Sequence, residues 1–327
     1  MTTVRWGIIG CGNVTEVKSG PGFAKASDSA LVAVMRRDAD LARDYAQRHG
    51  VPRWYDSAEA LVQDADVDAV YVATPPNAHR EYVLLSARHG KPVYVEKPMA
   101  TNAGECDDMI RACADAGVPL FTAYYRRALP RFLEVKALID AGAIGDVRAV
   151  IVSLSRRHVT TDGPPPWRVD PAVSGGGHFV DLASHTLDLL DYLLGPIEHV
   201  VGGAGNQGGF YAAEDIVSGT FVFASGVRAT GLWCFTADRD ADRVEIVGAD
   251  GRLGFSTFDE EPILLDLDGA TESIAIPHPA HVQQPLIQTI VDQLNGRGTC
   301  PSTGESGART TRVMDALLRT YYAAGAP

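Results

Sequence analysis

The run Val4-Arg5-Trp6-Gly7-Ile8-Ile9 has the apolar density of a buried strand and leads straight into Gly10-Cys11-Gly12, ahead of Asn13-Val14-Thr15. A strand that turns through Gly-x-Gly into a helical segment narrows the possible folds sharply. Gly10 permits the tight turn. Gly12 lets the backbone approach a pyrophosphate at a helix N-terminus, where free N–H groups and the dipole favour an anion. Thr15 occupies the third glycine position, so the fingerprint is incomplete. Its placement directly after the first strand carries the reading, with Gly10, Gly12, Asn13 and Val14 as cofactor contacts; an ordinary glycine turn is the alternative.

The rest of the first half agrees with that beginning. Apolar runs at Leu31–Met35, Ala69–Ala73, Val93–Val95 and Leu120–Ala123 alternate with helical spacing at Leu41–Arg48, Ala58–Val62, Glu81–His89 and Ala103–Ala116. Strands separated by helices of this length imply crossover units and a parallel sheet covered on both faces. After Tyr124 the pattern changes. One helix, Arg131–Ala141, precedes strand-like runs at Val147–Leu154, Val217–Phe223, Val227–Phe235, Arg243–Val247 and Ile263–Leu267. Their short turns, such as Ala224-Ser225-Gly226, are those of antiparallel neighbours. The expected architecture is an α/β Rossmann-type parallel-sheet domain over residues 1–123. It is followed over 124–327 by an α+β domain with a large, mostly antiparallel, open-faced sheet.

Composition bounds the partners. Against 41 acidic residues stand 29 Lys and Arg, a formal charge of −12, with 46% hydrophobic residues. Disordered, collagen-like and coiled-coil chains are excluded, and so acidic a chain is a poor match for nucleic acid or an anionic membrane. The longest uncharged apolar stretches, such as Ile216–Val227, fall short of the roughly 20 residues needed to cross a bilayer. Five cysteines, none in a CxxC pair, read as free thiols, and the N-terminal residues lack signal-peptide organisation, so a cytoplasmic location is expected.

The second strand sets the dinucleotide preference. NAD-binding versions place an acid at its tip to hold the adenosine ribose, whereas here Arg36-Arg37 follows Met35. Guanidinium groups there would bind a 2′-phosphate, which favours NADP(H) over NAD(H); solvated strand-end charges are the alternative. Ligands of open parallel sheets sit beyond the carboxyl ends of the strands, so Thr74-Pro75-Pro76-Asn77-Ala78-His79 flanks the cofactor through Thr74, Pro75, Asn77 and His79. His79 is a candidate base; capping the next helix or lining the pocket is the simpler role.

Strand five runs into Glu96-Lys97-Pro98, and the second domain holds Gly175-Gly176-Gly177-His178-Phe179-Val180-Asp181-Leu182-Ala183-Ser184-His185. With the Gly-x-Gly, these motifs resemble the Gfo/Idh/MocA family, the glucose–fructose oxidoreductase and inositol dehydrogenase group, over essentially the whole chain. Ala33-Val34-Met35-Arg36-Arg37 and Ala123-Tyr124-Tyr125-Arg126-Arg127 look most like the branch of 1,5-anhydrofructose reductases and dihydrodiol dehydrogenases. The resemblance implies an NAD(P)-dependent dehydrogenase or reductase acting on a sugar-like or cyclic polyol or diol substrate. It makes Lys97 the main acid/base, beside Glu96 at the cofactor. His185 then contacts the reacting oxygen, Asp181 orients the pair, and a cis peptide precedes Pro98.

The residues support these roles independently. Asp181 and His185 are four apart on one helix face, and Lys97 follows a strand end where the nicotinamide half would sit. A surface lysine and a capping Asp–His pair are the bland alternatives. His178, Asp181 and His185 could converge on a metal, but nothing completes a shell and no metal is expected. Tyr124, Tyr125, Arg126, Arg127 and the pair Trp167-Arg168 suit a hydroxylated ring as substrate contacts. An open apolar sheet face points to a homodimer or homotetramer. Two other classes stay open: a glycosidase or lyase that recycles tightly held NAD, and a non-catalytic nucleotide-binding sensor.

Overall fold

The computed structural model describes residues 3–159 and 163–323. The chain divides into two compact units, Met1–Leu129 with Pro279–Ala308, and Pro130–His278 with Arg309–Pro327. Residues 279–308, far along the sequence, thus belong with the first unit.

In the first unit β1 (Val4–Ile9) leads through α1 (Asn13–Val17) and α2 (Gly20–Lys25) to β2 (Ser29–Met35), α3 (Ala39–His49), β3 (Arg53–Tyr55) and α4 (Ala58–Gln63). The alternation continues with β4 (Ala69–Val72), α5 (His79–Arg88), β5 (Val93–Val95), α6 (Ala103–Asp115) and β6 (Leu120–Thr122). All six strands are parallel, in the order β3-β2-β1-β4-β5-β6. Side-chain alternation splits the two faces. Ile9, Val70, Val72, Val93 and Val95 join one apolar cluster. Trp6, Tyr71 and Tyr94 face the other way and pack with Phe23, ring centroids 4.9–6.5 Å apart. Helix starts follow their caps: Asp38 accepts from the N–H groups of Asp40 and Leu41, and Asn102 from that of Glu105.

Two features depart from the sequence reading. The segment after Gly12 forms two short helices, the second opening on Pro21 in its first turn, where proline cannot continue the ladder of the first. Gly20 packs so close to Thr15 that a Cβ there would stand 2.0 Å from the Thr15 carbonyl oxygen. The three-residue β3 is too short to show a period of its own. Helix Gln284–Leu294 packs on α2, and Thr303 bridges to Phe121.

The second unit opens with α7 (Pro130–Asp140), β7 (Val147–Arg157), α8 (Pro171–Ser174) and α9 (His178–Leu194). The strands β8 (Ile197–Gly205), β9 (Ile216–Phe223), β10 (Arg228–Ala237), β11 (Ala241–Gly248), β12 (Gly251–Phe255), β13 (Ile263–Leu267) and β14 (Ala270–Ile274) follow. They form one sheet ordered β14-β13-β12-β11-β7-β10-β9-β8, antiparallel except where β7 meets β10. Val152, Phe221, Trp233 and Ile246 are buried on the face that α9 covers. The opposite face carries Ile151, Val201, Leu232 and Leu264 exposed, interleaved with polar residues such as Ser153, Thr220 and Thr230. It is mixed, not the broad apolar surface expected. The five cysteines form no disulfide. Among the described residues no helix is long and apolar enough to cross a membrane.

Candidate active site

The winding of the parallel sheet reverses between β1 and β4, so their carboxyl ends diverge to leave the crevice where ligands of this architecture bind. Gly10 stands there with φ +90°, and a Cβ on it would lie 2.6 Å from Thr74 Cγ2; glycine is required on both counts. Gly12 is its opposite. A Cβ there would meet only the Gly10 carbonyl, at 3.9 Å, so the loop is open on that side. Thr15, in the missing third glycine position, is buried. Its hydroxyl donates to the Gly12 carbonyl at 2.8 Å and accepts from the Gly12 N–H at 2.9 Å. Asn13 is exposed and Val14 half-buried.

Arg36 and Arg37 are exposed at the tip of β2, where Arg36 Nη1 lies 3.5 Å from the Cys11 carbonyl, too long for a firm bond. Burial pushes the Cys11 thiol up to about 11, against the pull of Arg36, which makes it no nucleophile near neutrality. Across the crevice, Thr74 Oγ1 is buried with no hydrogen-bond partner among the described residues. Pro75 and Asn77 are exposed beside it. An open glycine loop, an unpaired buried hydroxyl at the next strand end and two arginines at the β2 tip fit a dinucleotide, which Gly10, Gly12, Thr74 and Arg36 would hold.

His79 is fully buried, not a base facing the crevice. Its Nε2 lies 2.8 Å from the Thr74 carbonyl, and its Nδ1 lies 3.1 Å from the carbonyls of both Pro98 and Met99. Burial holds its pKa below the usual range. The ring fastens the loop after β4 to the turn that carries Lys97.

That turn is built on a buried carboxylate. Glu96 accepts from the Tyr71 hydroxyl, from Gln283 Nε2 at 2.6 Å and, through its other oxygen, from the Lys97 N–H at 3.1 Å. Tyr94 in turn donates to Gln283 Oε1 at 2.9 Å. Glu96 is thus committed to protein donors and sets the backbone from which Lys97 projects. The Lys97–Pro98 peptide is cis, and Lys97 is half-buried. Nearby, burial raises the Tyr125 hydroxyl, but the charges of Arg126, Lys18 and Lys97 outweigh it and leave its pKa lowered. Arg126 stacks over the Tyr125 ring at 5.1 Å. Tyr124 is fully enclosed, and Arg127 donates to the Pro301 carbonyl at 3.1 Å.

In the second unit the glycine run before α9 is held by Glu214, which accepts from the Gly177 N–H at 2.8 Å and from the Tyr322 hydroxyl at 2.5 Å. Gly177 is required, since a Cβ would lie 2.7 Å from the Glu214 carbonyl oxygen. The helix is buried nearly all round. Its acids Asp188 and Asp191 are matched by Thr310 and by a bidentate Arg309, at 2.7 and 2.8 Å to Asp191. Asp181 is half-buried, with Arg168 Nε 3.4 Å away, and the Arg168 guanidinium lies 4.4 Å above the Trp167 ring. His185 is buried, edge-on to Phe258 at 5.8 Å. Leu182, beside Asp181, is half-buried. Among the described residues no group of three or more His, Cys, Asp or Glu is arranged to hold a metal.

Comparison with known proteins decides the family. A model of an oxidoreductase family with an NAD-binding Rossmann fold matches residues 4–124, and one of the GFO/IDH/MocA C-terminal domain matches 132–254. The chain belongs to the Gfo/Idh/MocA oxidoreductases. An oxidoreductase of Formosa agariphila is 40% identical over 320 residues, 97% of this chain and 99% of that one. The 1,5-anhydro-D-fructose reductase of Ensifer adhaerens is 30% identical across 93% of this chain and 92% of its own. The crystal structure of aldose-aldose oxidoreductase from Caulobacter crescentus, in complex with glycerol, aligns over 98% of both chains with TM-score 0.88 at 26% identity. Levoglucosan dehydrogenase in complex with NADH and levoglucosan shares the fold, with TM-score 0.88 at 20% identity.

Within this Gfo/Idh/MocA oxidoreductase the first unit brings together Gly10, Gly12, Thr74, His79, Glu96 and Lys97, and the second Trp167, Arg168, Asp181 and His185. Sequence reasoning missed Gln283 and Glu214, which hold the two motifs in place. Glu214 yields a stability prediction. Burial raises its pKa, so the folded chain keeps a proton that the unfolded chain releases, and stability declines as pH rises from the ordinary carboxylate range to the raised value. Glu214→Gln, which still accepts from Gly177, should remove that decline and be at least as stable as the parent at pH 8. Glu214→Ala should lose about 1–3 kcal/mol by stranding the Gly177 N–H. Urea denaturation at pH 5 and pH 8 measures both.

Proposed function

We propose that the protein is a dehydrogenase or reductase of the cytoplasm that favours NADP(H) and acts on a carbonyl or secondary alcohol of a small sugar-like, polyol or cyclic-diol substrate. The observation that carries it is the turn at Glu96-Lys97-Pro98: a half-buried lysine on a backbone fixed by a buried carboxylate, at the carboxyl edge of a dinucleotide-type sheet. The relatives named for 1,5-anhydro-D-fructose reduction and aldose oxidoreduction support the substrate class. When bound, the nicotinamide supplies hydride exchange with the substrate carbon.

The chain's own part is proton transfer and orientation. Lys97 gives a proton to the substrate oxygen in reduction and takes it back in oxidation. His185 contacts that oxygen, and Asp181, itself steadied by Arg168, orients the imidazole. Tyr125, its pKa lowered by the charges of Arg126, Lys18 and Lys97, lies within the field of Lys97. Trp167, with the Arg168 guanidinium over one face, offers stacking surface to a hydroxylated ring. The apolar residues Ile151, Leu232 and Val201, exposed on the otherwise mixed sheet face, are where a homodimer or homotetramer would pack.

The test is a binding titration of NADP(H) against NAD(H), followed by a panel of sugar, inositol and diol carbonyls monitored by the near-ultraviolet absorbance of reduced nicotinamide. Saturable consumption by one class supports the proposal. Tighter binding of NAD(H) refutes the cofactor preference.

A further inference from the structure

A cavity of about 580 Å³ lies within the second unit, lined by the carboxyl end of β7, Gly163, Pro165 and Pro166 before α8, the first turns of α9 and the segment after β8. That size is within the roughly 300–1,000 Å³ of small-molecule sites. Its walls are rings. His158 stacks on Phe210 with centroids 3.9 Å apart and planes 7° from parallel, and His178 stands edge-on to Tyr211 at 5.6 Å and lies 5.7 Å from Phe235. Phe210 is 52% exposed, an unusual state for a phenyl ring inside a built aromatic wall. The Tyr211 hydroxyl is buried without a hydrogen-bond partner among the described residues.

The two arginines at the rim are anchored on backbone carbonyls. Arg156 Nη1 donates to the Ser155 and Ala241 carbonyls at 3.2 and 3.4 Å, and Arg157 Nε to that of Asp238 at 3.0 Å. Burial favours the neutral form of His178. The stacked and edge-on rings suit a flat, apolar group, with polar contacts at the margin. It reaches α9 through His178 and Leu182, which share a helix face with Asp181 and His185 by their spacing of three, four and seven.

We propose that this cavity is a subsite for an aromatic ring carried by the substrate, so that the molecule turned over is an aryl-bearing polyol or glycoside and not a free monosaccharide. The word substrate rests on the dehydrogenase reading; ring binding does not. The test is calorimetric titration of the full chain, without dinucleotide, with phenyl β-D-glucopyranoside, methyl β-D-glucopyranoside and cellobiose. The phenyl glycoside should bind at least tenfold tighter than either of the others. Joint replacement His158→Ala and Phe210→Ala should bring it within twofold of the methyl glycoside, while Phe210→Trp should keep the preference and report an intact fold. Equal binding of phenyl and methyl glycosides, cellobiose binding as tightly as the phenyl glycoside, or a preference untouched by the double replacement would each overturn the proposal. Because no turnover is measured, a chain in which Lys97 proves dispensable would lose the catalytic reading and leave the subsite standing.

Discussion

Lys97→Met should lower kcat by about 10²–10⁴-fold, the range that a positioned acid/base contributes, while leaving the dinucleotide dissociation constant within about threefold of the parent. Methionine matches the length of the lysine stem without its proton. The Glu96 carboxylate that braces the turn accepts from the Lys97 backbone N–H, a bond the replacement keeps. Loss of a group used only as the oxygen changes charge should appear equally in kcat and kcat/KM. A second signature is the pH profile: the limb that belongs to the proton donor should vanish in the variant. Steady-state kinetics from pH 5 to pH 10, with dinucleotide affinity measured separately, checks both. Turnover near that of the parent would remove Lys97 from the mechanism.

The arginine pair should give the second large effect. Arg36→Ala with Arg37→Ala is expected to weaken NADPH binding about 100-fold, because each hydrogen bond to a charged group contributes about 1.5–3 kcal/mol and each 1.4 kcal/mol is a factor of ten. NADH should change by no more than twofold or threefold, having no 2′-phosphate to lose. The bond from Arg36 to the Cys11 carbonyl is too long to hold its guanidinium elsewhere, and both side chains are exposed, so the loss should fall on ligand binding and not on the fold. The difference should shrink as salt is added, since exposed charges are screened. Equal losses for the two dinucleotides would show that the arginines act on the pyrophosphate or on the loop instead.

Much of the molecule is legible from neighbouring residues. Gly10 and Gly12 follow a strand within one turn, Glu96-Lys97-Pro98 is contiguous, and the parallel strands are short apolar runs between helices with clear caps at Asp38 and Asn102. What escapes is what depends on distance along the chain. Gln283 meets Tyr94 and Glu96 from nearly 190 residues away, and Glu214 reaches back to the glycine run before α9. Nothing in the local pattern of either residue marks the role. β8 escapes because its glycines blur the alternation, and Phe210 and Tyr211 fall in a stretch without periodicity. The cavity side of α9 escapes for a related reason: helical spacing shows which residues share a face, but not whether core or cavity lies against it.

His79 makes the same point for chemistry. A histidine after a strand end in a nucleotide-binding sheet looks like a base, but it is closed in by three carbonyls and serves as a tie between two loops. A neutral imidazole carries a single N–H, so it donates to one side of this tie while packing holds the rest of the ring in place.

The account stands on net hydride transfer, and isotope transfer tests that most directly. Reduced dinucleotide deuterated at the transferring position of the nicotinamide, incubated with the chain and a carbonyl substrate that consumes it, should yield an alcohol with one deuterium on the new carbinol carbon and an equal amount of oxidised dinucleotide. A product free of deuterium, formed with no net loss of reduced nicotinamide, would contradict the account and point to a cofactor recycled within each turnover.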